Sequence, residues 1–126
     1  MPRTLPIDRA VELFLDHCKV ERGLSANTLD GYGRDLGRLA GFLEARGRAG
    51  VDEVTAIDLA DHLTALAAAG QSARTRARAL VAMRGLGRYL VGEKWLDADP
   101  SGLLDAPRTA PRSPVVLGEA DRKSVV

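Results

Sequence analysis

Residues 72–92 read SARTRARALVAMRGLGRYLVG, a stretch that contains five arginines and no acidic residue. On a helix with about 100° per residue, four of these arginines share an arc of about 120°. We call them the arginine face: Arg74, Arg78, Arg84 and Arg88. The opposite side of the same helix carries the apolar residues Leu80, Met83, Leu86 and Leu90. The stretch therefore predicts a helix with one side in a core and one side available to an anion.

Two interpretations of the arginine face are open at this point. Guanidinium groups match the geometry of phosphate with two parallel hydrogen bonds, so a row of them is typical of nucleic-acid contact. A row of arginines is also typical of a solvated or interdomain face that pairs with nearby acids. Because residues 72–92 hold no acid, any such pairing must involve another part of the chain.

Length and composition indicate one domain with an aliphatic core. The chain has 126 residues, of which 45% are hydrophobic and only 4% aromatic. Its net charge is +1, from 18 basic and 17 acidic residues, so total charge says little about a polyanionic partner. The distribution is more informative, because residues 51–70 contain four acids and no lysine or arginine. Separated charges of this kind can give a neutral protein a basic face.

The cysteine and histidine content argues against several classes of site. Cys18 is the only cysteine, so no internal disulfide forms, and its place on an apolar stripe predicts a buried residue. His17, Cys18 and His62 do not have the spacing of a metal site, so we expect no metal and no cofactor. No segment has the pattern of a signal peptide or membrane span, and we expect a cytoplasmic protein with no membrane partner.

Four helices follow from apolar spacing and capping signals. The first begins at Pro6 and ends near Gly23, with Val11, Phe14 and Leu15 on its apolar side. The second runs from about Thr28 to Arg46, with Gly47 as its stop, after a capping cluster at residues 25–28. Its apolar side is predicted to contain Leu29, Tyr32, Leu36, Leu39, Ala40 and Leu43.

The third and fourth helices complete an all-α bundle. Thr55 and Asp58 form a capping-box-like start for the third helix, which ends before Gly70. We expect this helix to carry Ile57, Leu63 and Leu66 on its apolar side, and His62 as an ordinary polar or half-buried residue. The fourth helix begins at residues 71–72 and ends near Gly92. Trp95 is expected to cover one end of the bundle, and a short turn at residues 101–105 would be a fifth helical element.

Three glycines spaced by four residues lie along one flank of the second helix: Gly33, Gly37 and Gly41. Glycine in a helix costs about 1 kcal/mol relative to alanine, so a regular row suggests a purpose. We interpret the row as a place of close helix–helix approach. Space for a bulky polymer backbone is the alternative.

The composition changes at residue 106. Residues 106–114 read APRTAPRSP, with three prolines and two arginines, which is typical of an extended, semi-rigid linker. We therefore expect a helical domain over residues 1–105. Residues 106–126 are expected to be an interdomain linker and the truncated start of a further domain.

The order of several segments resembles a known family. These segments are ERGLS at 21–25, NTLDGYGRDL at 27–36, ARALVAMR at 77–84 and the Asp-Pro pair at 99–100. Together they resemble the N-terminal core-binding domain of the tyrosine recombinases, the phage-integrase superfamily, and in particular its Xer branch. In that family the domain is a small SAM-like helical bundle that clamps one side of a recombination site. Where the family usually has larger residues, this chain has Gly85 and Gly87.

The resemblance implies duplex DNA binding with a sequence preference, within DNA integration or recombination. Chromosome dimer resolution is one option, and a phage, transposon or integron role is equally open. The nucleophilic tyrosine of the family belongs to a second, larger domain, so we expect no catalytic residue here and no DNA cleavage by this chain alone. Tyr32 and Tyr89 are interpreted as packing residues without an Arg/His set around them. The expected partners are double-stranded DNA and, in the full enzyme, other protomers in a tetramer on two duplexes. The fragment alone is expected to be a monomer.

The DNA contacts implied by position fall on the second and fourth helices and the linker. They are Asn27, Thr28, Tyr32, Arg34, Arg74, Thr75, Arg76, Arg78, Arg84, Arg108 and Arg112, to which the arginine face adds Arg88. The alternative function is a helical protein–protein interaction module whose basic face docks an acidic partner.

Overall fold

A computed structural model describes residues 4–102 and residue 104. These residues form four α-helices joined by short connections, with one 3-10 turn at Val51–Glu53. The helices are α1 (Ile7–Val20), α2 (Ala26–Ala45), α3 (Ala56–Ala68) and α4 (Ala73–Gly92). The prediction of an all-α bundle is confirmed, although the segment after Pro100 forms a turn and no fifth helix within the described residues. The linker predicted at residues 106–126 lies outside them.

Side-chain caps explain where three helices begin. Ser25 accepts the Thr28 N–H at the start of α2, and Ser72 accepts the Thr75 N–H at the start of α4. At α3, Thr55 accepts the Asp58 N–H while the Asp58 carboxylate accepts the Thr55 N–H, which completes a capping box. Each cap satisfies a backbone donor that the helix itself cannot pair.

Left-handed residues end the helices. Gly23, Gly47 and Gly70, which were predicted as stops, have φ values of +61°, +83° and +88°. After α4 the left-handed position is instead taken by Lys94, with φ 65°, two residues beyond the predicted Gly92. Glycine adopts this conformation without strain, so the fourth helix ends at a less favourable residue than the other three.

The core is built around α4, which packs against α1, α2 and α3. All four apolar residues predicted for the inner side of α4 are buried. Three of them, Met83, Leu86 and Leu90, belong to one core cluster with Phe14 and Cys18 from α1 and Leu36, Leu39 and Leu43 from α2. Burial raises the pKa of the Cys18 thiol, in keeping with its predicted role as a core residue. Trp95 packs against this core from the segment after α4.

The prediction of close helix–helix approach along the α2 glycines is wrong for two of the three. Gly37 and Gly41 are exposed, and a Cβ added at either position would meet nothing within 4 Å. The close approaches occur on α4 instead. A Cβ at Gly85 would lie 2.9 Å from Cζ of Phe14, and one at Gly87 would overlap the Asp99 carboxylate. These two glycines therefore make room for a core ring and for the turn after α4.

The inner side of α3 also differs from the prediction. Ile57 is exposed, while Leu59 and His62 are buried with Leu66. The His62 ring packs 5.1 Å from the Phe42 ring, and within the described residues neither ring nitrogen has a hydrogen-bond partner. Burial lowers the pKa of His62, and the positive charge of Arg38 lowers it further. The histidine is therefore a neutral core residue and more buried than predicted.

Candidate nucleic-acid interface

The arginine face lies on the outer side of α4, but its four members are not equivalent. Arg74 and Arg88 are exposed and form no ion pair with any described residue. Arg84 is half-buried and donates a hydrogen bond to the backbone oxygen of Leu104, a neutral acceptor. Three of the four arginines therefore keep an uncompensated positive charge with respect to the described part of the chain.

Arg78 is the exception, because it pairs with Asp35 on α2. Its Nε lies 2.7 Å from Asp35 Oδ2, and its Nη2 lies 2.9 Å from Asp35 Oδ1. The Asp35 side chain is 1% exposed, whereas that of Arg78 is 42% exposed. The hydrogen bond to Asp35 raises the pKa of Arg78 above its ordinary value. Pairing with a distant acid, one of the two interpretations of the sequence, thus applies to only this member of the arginine face when the described residues are considered.

The acids of α3 are compensated by arginines from the preceding connection. Arg48 donates from Nε and Nη2 to Asp58, at 2.9 and 3.2 Å. Arg46 lies 2.9 Å from Asp61 and 3.5 Å from Asp58. The hydrogen bond from Arg48 is the main reason why the pKa of Asp58 is held below its ordinary value. The charge segregation in the sequence is therefore partly cancelled around α3, while it persists on α4.

The residues predicted on α2 separate into two groups. Asn27 and Thr28 lie in the first turn, and the Thr28 hydroxyl accepts a hydrogen bond from Ser25. Because Arg78 pairs with Asp35 and a Cβ added at Gly31 would lie 3.6 Å from Arg78 Nε, the N-terminal halves of α2 and α4 lie side by side. This contact brings the first turn of α2 towards the arginine face.

Two other α2 residues are placed differently. Tyr32 is half-buried and packs against the core. Arg34 lines a cleft between α1 and α2, which also contains Asp16 and Asp30. The structure therefore does not bring Arg34 together with the arginine face.

The remaining predicted residues lie at the start of α4 or outside the described chain. The Thr75 hydroxyl accepts a hydrogen bond from Ser72, and Nε of Arg76 donates to the Gln71 carbonyl at 3.3 Å. Both side chains are half-buried, so their polar groups are partly engaged at the helix start. Arg108 and Arg112 lie outside the described residues.

Tyr89 was interpreted as a packing residue without an Arg/His set around it, and the structure places one His and two Arg side chains in its neighbourhood. Its ring lies 4.9 Å from the His17 ring, and Arg22 and Arg88 line the same groove between α1 and α4. The contact is nevertheless one between rings, and burial raises the pKa of the phenol. A raised pKa disfavours the phenolate that a nucleophilic tyrosine needs, so the packing interpretation of Tyr89 is retained.

Sequence reasoning missed Asp35, which holds Arg78 in place, and Gly31, which lies beside it. A signal for Asp35 was present, since it falls beside the apolar arc of α2 on a helix at about 100° per residue. A buried carboxylate requires a partner, and the acid-free arginine helix offers several. Which arginine it selects depends on how α2 and α4 are aligned, and spacing along the chain does not give that alignment.

Comparison with known proteins gives the family. Residues 11–94 match the family described as Phage integrase, N-terminal SAM-like domain. The chain belongs to this family. The match covers α2, α3 and α4 in full and most of α1, so the resemblance noted in the sequence is confirmed.

Curated relatives of this SAM-like domain are tyrosine recombinases of the Xer branch. The chain is 41% identical over 111 residues to the tyrosine recombinase XerD of Rhizobium meliloti (strain 1021), which covers 88% of the chain and 35% of that relative. It is 40% identical over 115 residues to the tyrosine recombinase XerC of Pseudomonas aeruginosa (strain LESB58), covering 89% of the chain and 37% of the relative. The chain thus spans about a third of the length of these relatives.

Solved structures share the fold of the domain. The N-terminal domain of a phage integrase/site-specific recombinase from Haloarcula marismortui superposes with a TM-score of 0.76 at 17% identity, covering 84% of this chain and 100% of that one. A lambda integrase dimer bound to a COC′ core site superposes with a TM-score of 0.74 at 14% identity, covering 87% of this chain and 30% of that one. At these identities the likeness concerns the fold. No helix among the described residues has the length and apolarity to cross a membrane.

Proposed function

We propose that this SAM-like domain binds duplex DNA through α4 and the first turn of α2, as the N-terminal clamp of a site-specific tyrosine recombinase. The observation that carries the proposal is the pair of exposed arginines, Arg74 and Arg88, which no described acid compensates. They lie on one side of a helix whose other side is fixed in the core. Such a helix presents its cations as a rigid unit, which suits repeated contact with phosphates.

Family membership supports the same function. The curated relatives are recombinases, and one solved protein with this fold is bound to a COC′ core site. As a clamp without a catalytic partner, the chain binds DNA but does not cleave it. Recombination, and any assembly of protomers on two duplexes, requires the rest of the enzyme.

The test is a DNA titration of the 126-residue chain at several salt concentrations, with fluorescence anisotropy as readout. Each cation that neutralises a phosphate contributes about 0.9 to the slope of log affinity against log salt. Arg74→Ala and Arg88→Ala should each weaken binding and reduce that slope by about one.

Arg46→Ala is the matched control, because Arg46 is also an exposed arginine but lies beside Asp61 and Asp58. It should leave the slope unchanged. Absence of salt-dependent binding by the wild-type chain would overturn the proposal. A concentration-dependent dimer that ignores DNA would instead favour a protein–protein interaction module.

A further inference from the structure

The outer side of α4 carries an exposed apolar residue within its cationic face. Val81 is 51% exposed, although valine is usually buried. On a helix at about 100° per residue, it falls near the centre of the arc that contains Arg74, Arg78, Arg84 and Arg88. A side chain in this position contributes little to the core, and it lies where a ligand of the arginine face would make contact.

Arg78, one helical turn before Val81, differs from the other arginines in net charge. Arg78 and Asp35 together carry no net charge. Contact of this pair with a DNA phosphate would therefore release no net counterion. Arg78 therefore adds little to salt-dependent attraction. Arg78 contributes a fixed orientation instead, because two hydrogen bonds to a buried carboxylate hold the plane of its guanidinium group.

The orientation of that guanidinium leaves donors available. Asp35 accepts from Nε and from one hydrogen of Nη2, so the Nη1 group and the second Nη2 hydrogen remain. Two parallel donors on a fixed plane match O6 and N7 of guanine in the major groove. An exposed valine next to them matches the other distinctive feature of that groove, the methyl group of thymine.

We propose that Arg78 and Val81 are the base-reading residues of α4, Arg78 for guanine and Val81 for the thymine methyl, with Asp35 as the positioning residue for Arg78. This inference rests on the proposed function of duplex DNA binding. Side chains three residues apart on a helix are separated by about 5–6 Å. With about 3.4 Å between base pairs, the guanine and the thymine lie within about two base pairs of each other.

The experiment selects bound sequences from a pool of short duplexes with a randomised centre, using the 126-residue chain at low salt. The wild-type chain should enrich duplexes with a guanine close to a thymine. Replacing that thymine by deoxyuracil removes only the methyl group, and it should weaken wild-type binding about fivefold. For Val81→Ser the same replacement should have no effect, because the methyl contact is already absent.

Asp35→Asn separates a positioning role from a structural one. With the carboxylate neutralised, Arg78 regains its net charge, so the slope of log affinity against log salt should steepen by about one. At the same time the preference for guanine should fall about tenfold, because the guanidinium is no longer held. A merely destabilised protein would lose affinity without steepening the slope. Arg78→Lys keeps the positive charge but lacks the two parallel guanidinium donors, so it should also lose the guanine preference. Circular dichroism checks that each variant is folded.

Three results would overturn the inference. One is salt-dependent binding by the wild-type chain with no enriched sequence, which would leave the proposed DNA clamp intact. Another is an enriched sequence for which Val81→Ser and Arg78→Lys keep the wild-type preference for the thymine methyl group and for guanine. Absence of binding to any duplex would overturn the proposed function together with the inference. The uracil comparison and Val81→Ser keep the test decisive even if Asp35→Asn fails to fold.

Discussion

Two ion pairs in this bundle have the same geometry but different surroundings. In each, the Nε and Nη2 atoms of an arginine hold a carboxylate that is 1% exposed: Arg78 with Asp35 between α2 and α4, and Arg48 with Asp58 at the start of α3. Asp58 also accepts the Thr55 N–H and lies 3.5 Å from Arg46. The Asp35 side chain accepts hydrogen bonds from Arg78 only, among the described residues. The Arg48–Asp58 pair is therefore part of a helix cap, whereas the Arg78–Asp35 pair orients one arginine on an exposed face.

The surroundings of the two pairs differ in charge as well. At α3 the neighbouring acid Asp61 is paired with Arg46, so little net charge is left there. On α4, Arg74 and Arg88 remain without a described acidic partner. An ion pair in a compensated region stabilises the fold, while the same pair in an uncompensated region also shapes what the surface can bind.

The largest expected effect separates the two pairs by stability. Arg78→Ala leaves Asp35 buried with no partner, and we expect a loss of about 3 kcal/mol in the free energy of unfolding. Arg48→Ala should cost less, because Asp58 keeps the Thr55 N–H and Arg46. Urea denaturation of both variants gives the comparison. Equal losses would show that the Thr55 N–H and Arg46 do not compensate the buried Asp58 carboxylate when Arg48 is removed.

A smaller effect is expected from the packing that fixes α4. Gly85→Ala places a Cβ 2.9 Å from the buried Phe14 ring, and the required shift should destabilise the fold by about 1–2 kcal/mol. Gly41→Ala on α2 is the matched control, since a Cβ there meets nothing within 4 Å. It should stabilise the protein by up to about 1 kcal/mol through helix propensity. Thermal unfolding of both variants measures the two shifts, and a stabilising Gly85→Ala would contradict the close contact.

The smallest expected effect is a change in the free energy of unfolding with pH, caused by His62 on α3. The folded pKa of His62 lies below its ordinary value of 6.5, so the unfolded chain binds the proton more readily. Stability should therefore fall as the pH drops below about 6.5. The contribution of Asp58 is lost in a separate window, below its ordinary pKa of 3.8.

His62→Leu tests this assignment by removing the titrating group and its two unpartnered nitrogens. The variant should have a flatter stability profile between neutral pH and the Asp58 window, measured by urea denaturation at several pH values. An unchanged profile would mean that His62 is not responsible for the acid sensitivity. The Asp35 carboxylate opposes this shift, because its negative charge raises the pKa of His62. Asp35→Asn should therefore make stability fall more steeply with decreasing pH in this range.

Local features of the fold were predictable from the sequence. The caps at Ser25, Thr55 and Ser72 and the stops at Gly23, Gly47 and Gly70 act within a few residues of their helices, so short motifs indicate them. The inner side of α4 was also predicted correctly, because apolar spacing over five turns leaves little ambiguity.

Features that depend on how the helices meet were not predictable in the same way. Periodicity gives the face of a helix but not which neighbour approaches it, so the glycines of α2 were assigned the contacts that Gly85 and Gly87 make. Asp35 and Arg78 are separated by 43 residues, and only the packed bundle brings them together. For the candidate site, the sequence indicated a cationic helix, while the division of its arginines into paired and unpaired groups required the structure.

The turn after α4 has a consequence for geometry. Asp99 accepts hydrogen bonds from the Ser101 backbone and hydroxyl while its carboxylate sits against Gly87, and Arg84 holds the oxygen of Leu104. Ser101 and Leu104 are thus tied to the same helix that bears the arginine face. A tilt of α4 would therefore move both residues with it, so the angle at which the helix meets a ligand also sets the position of this turn.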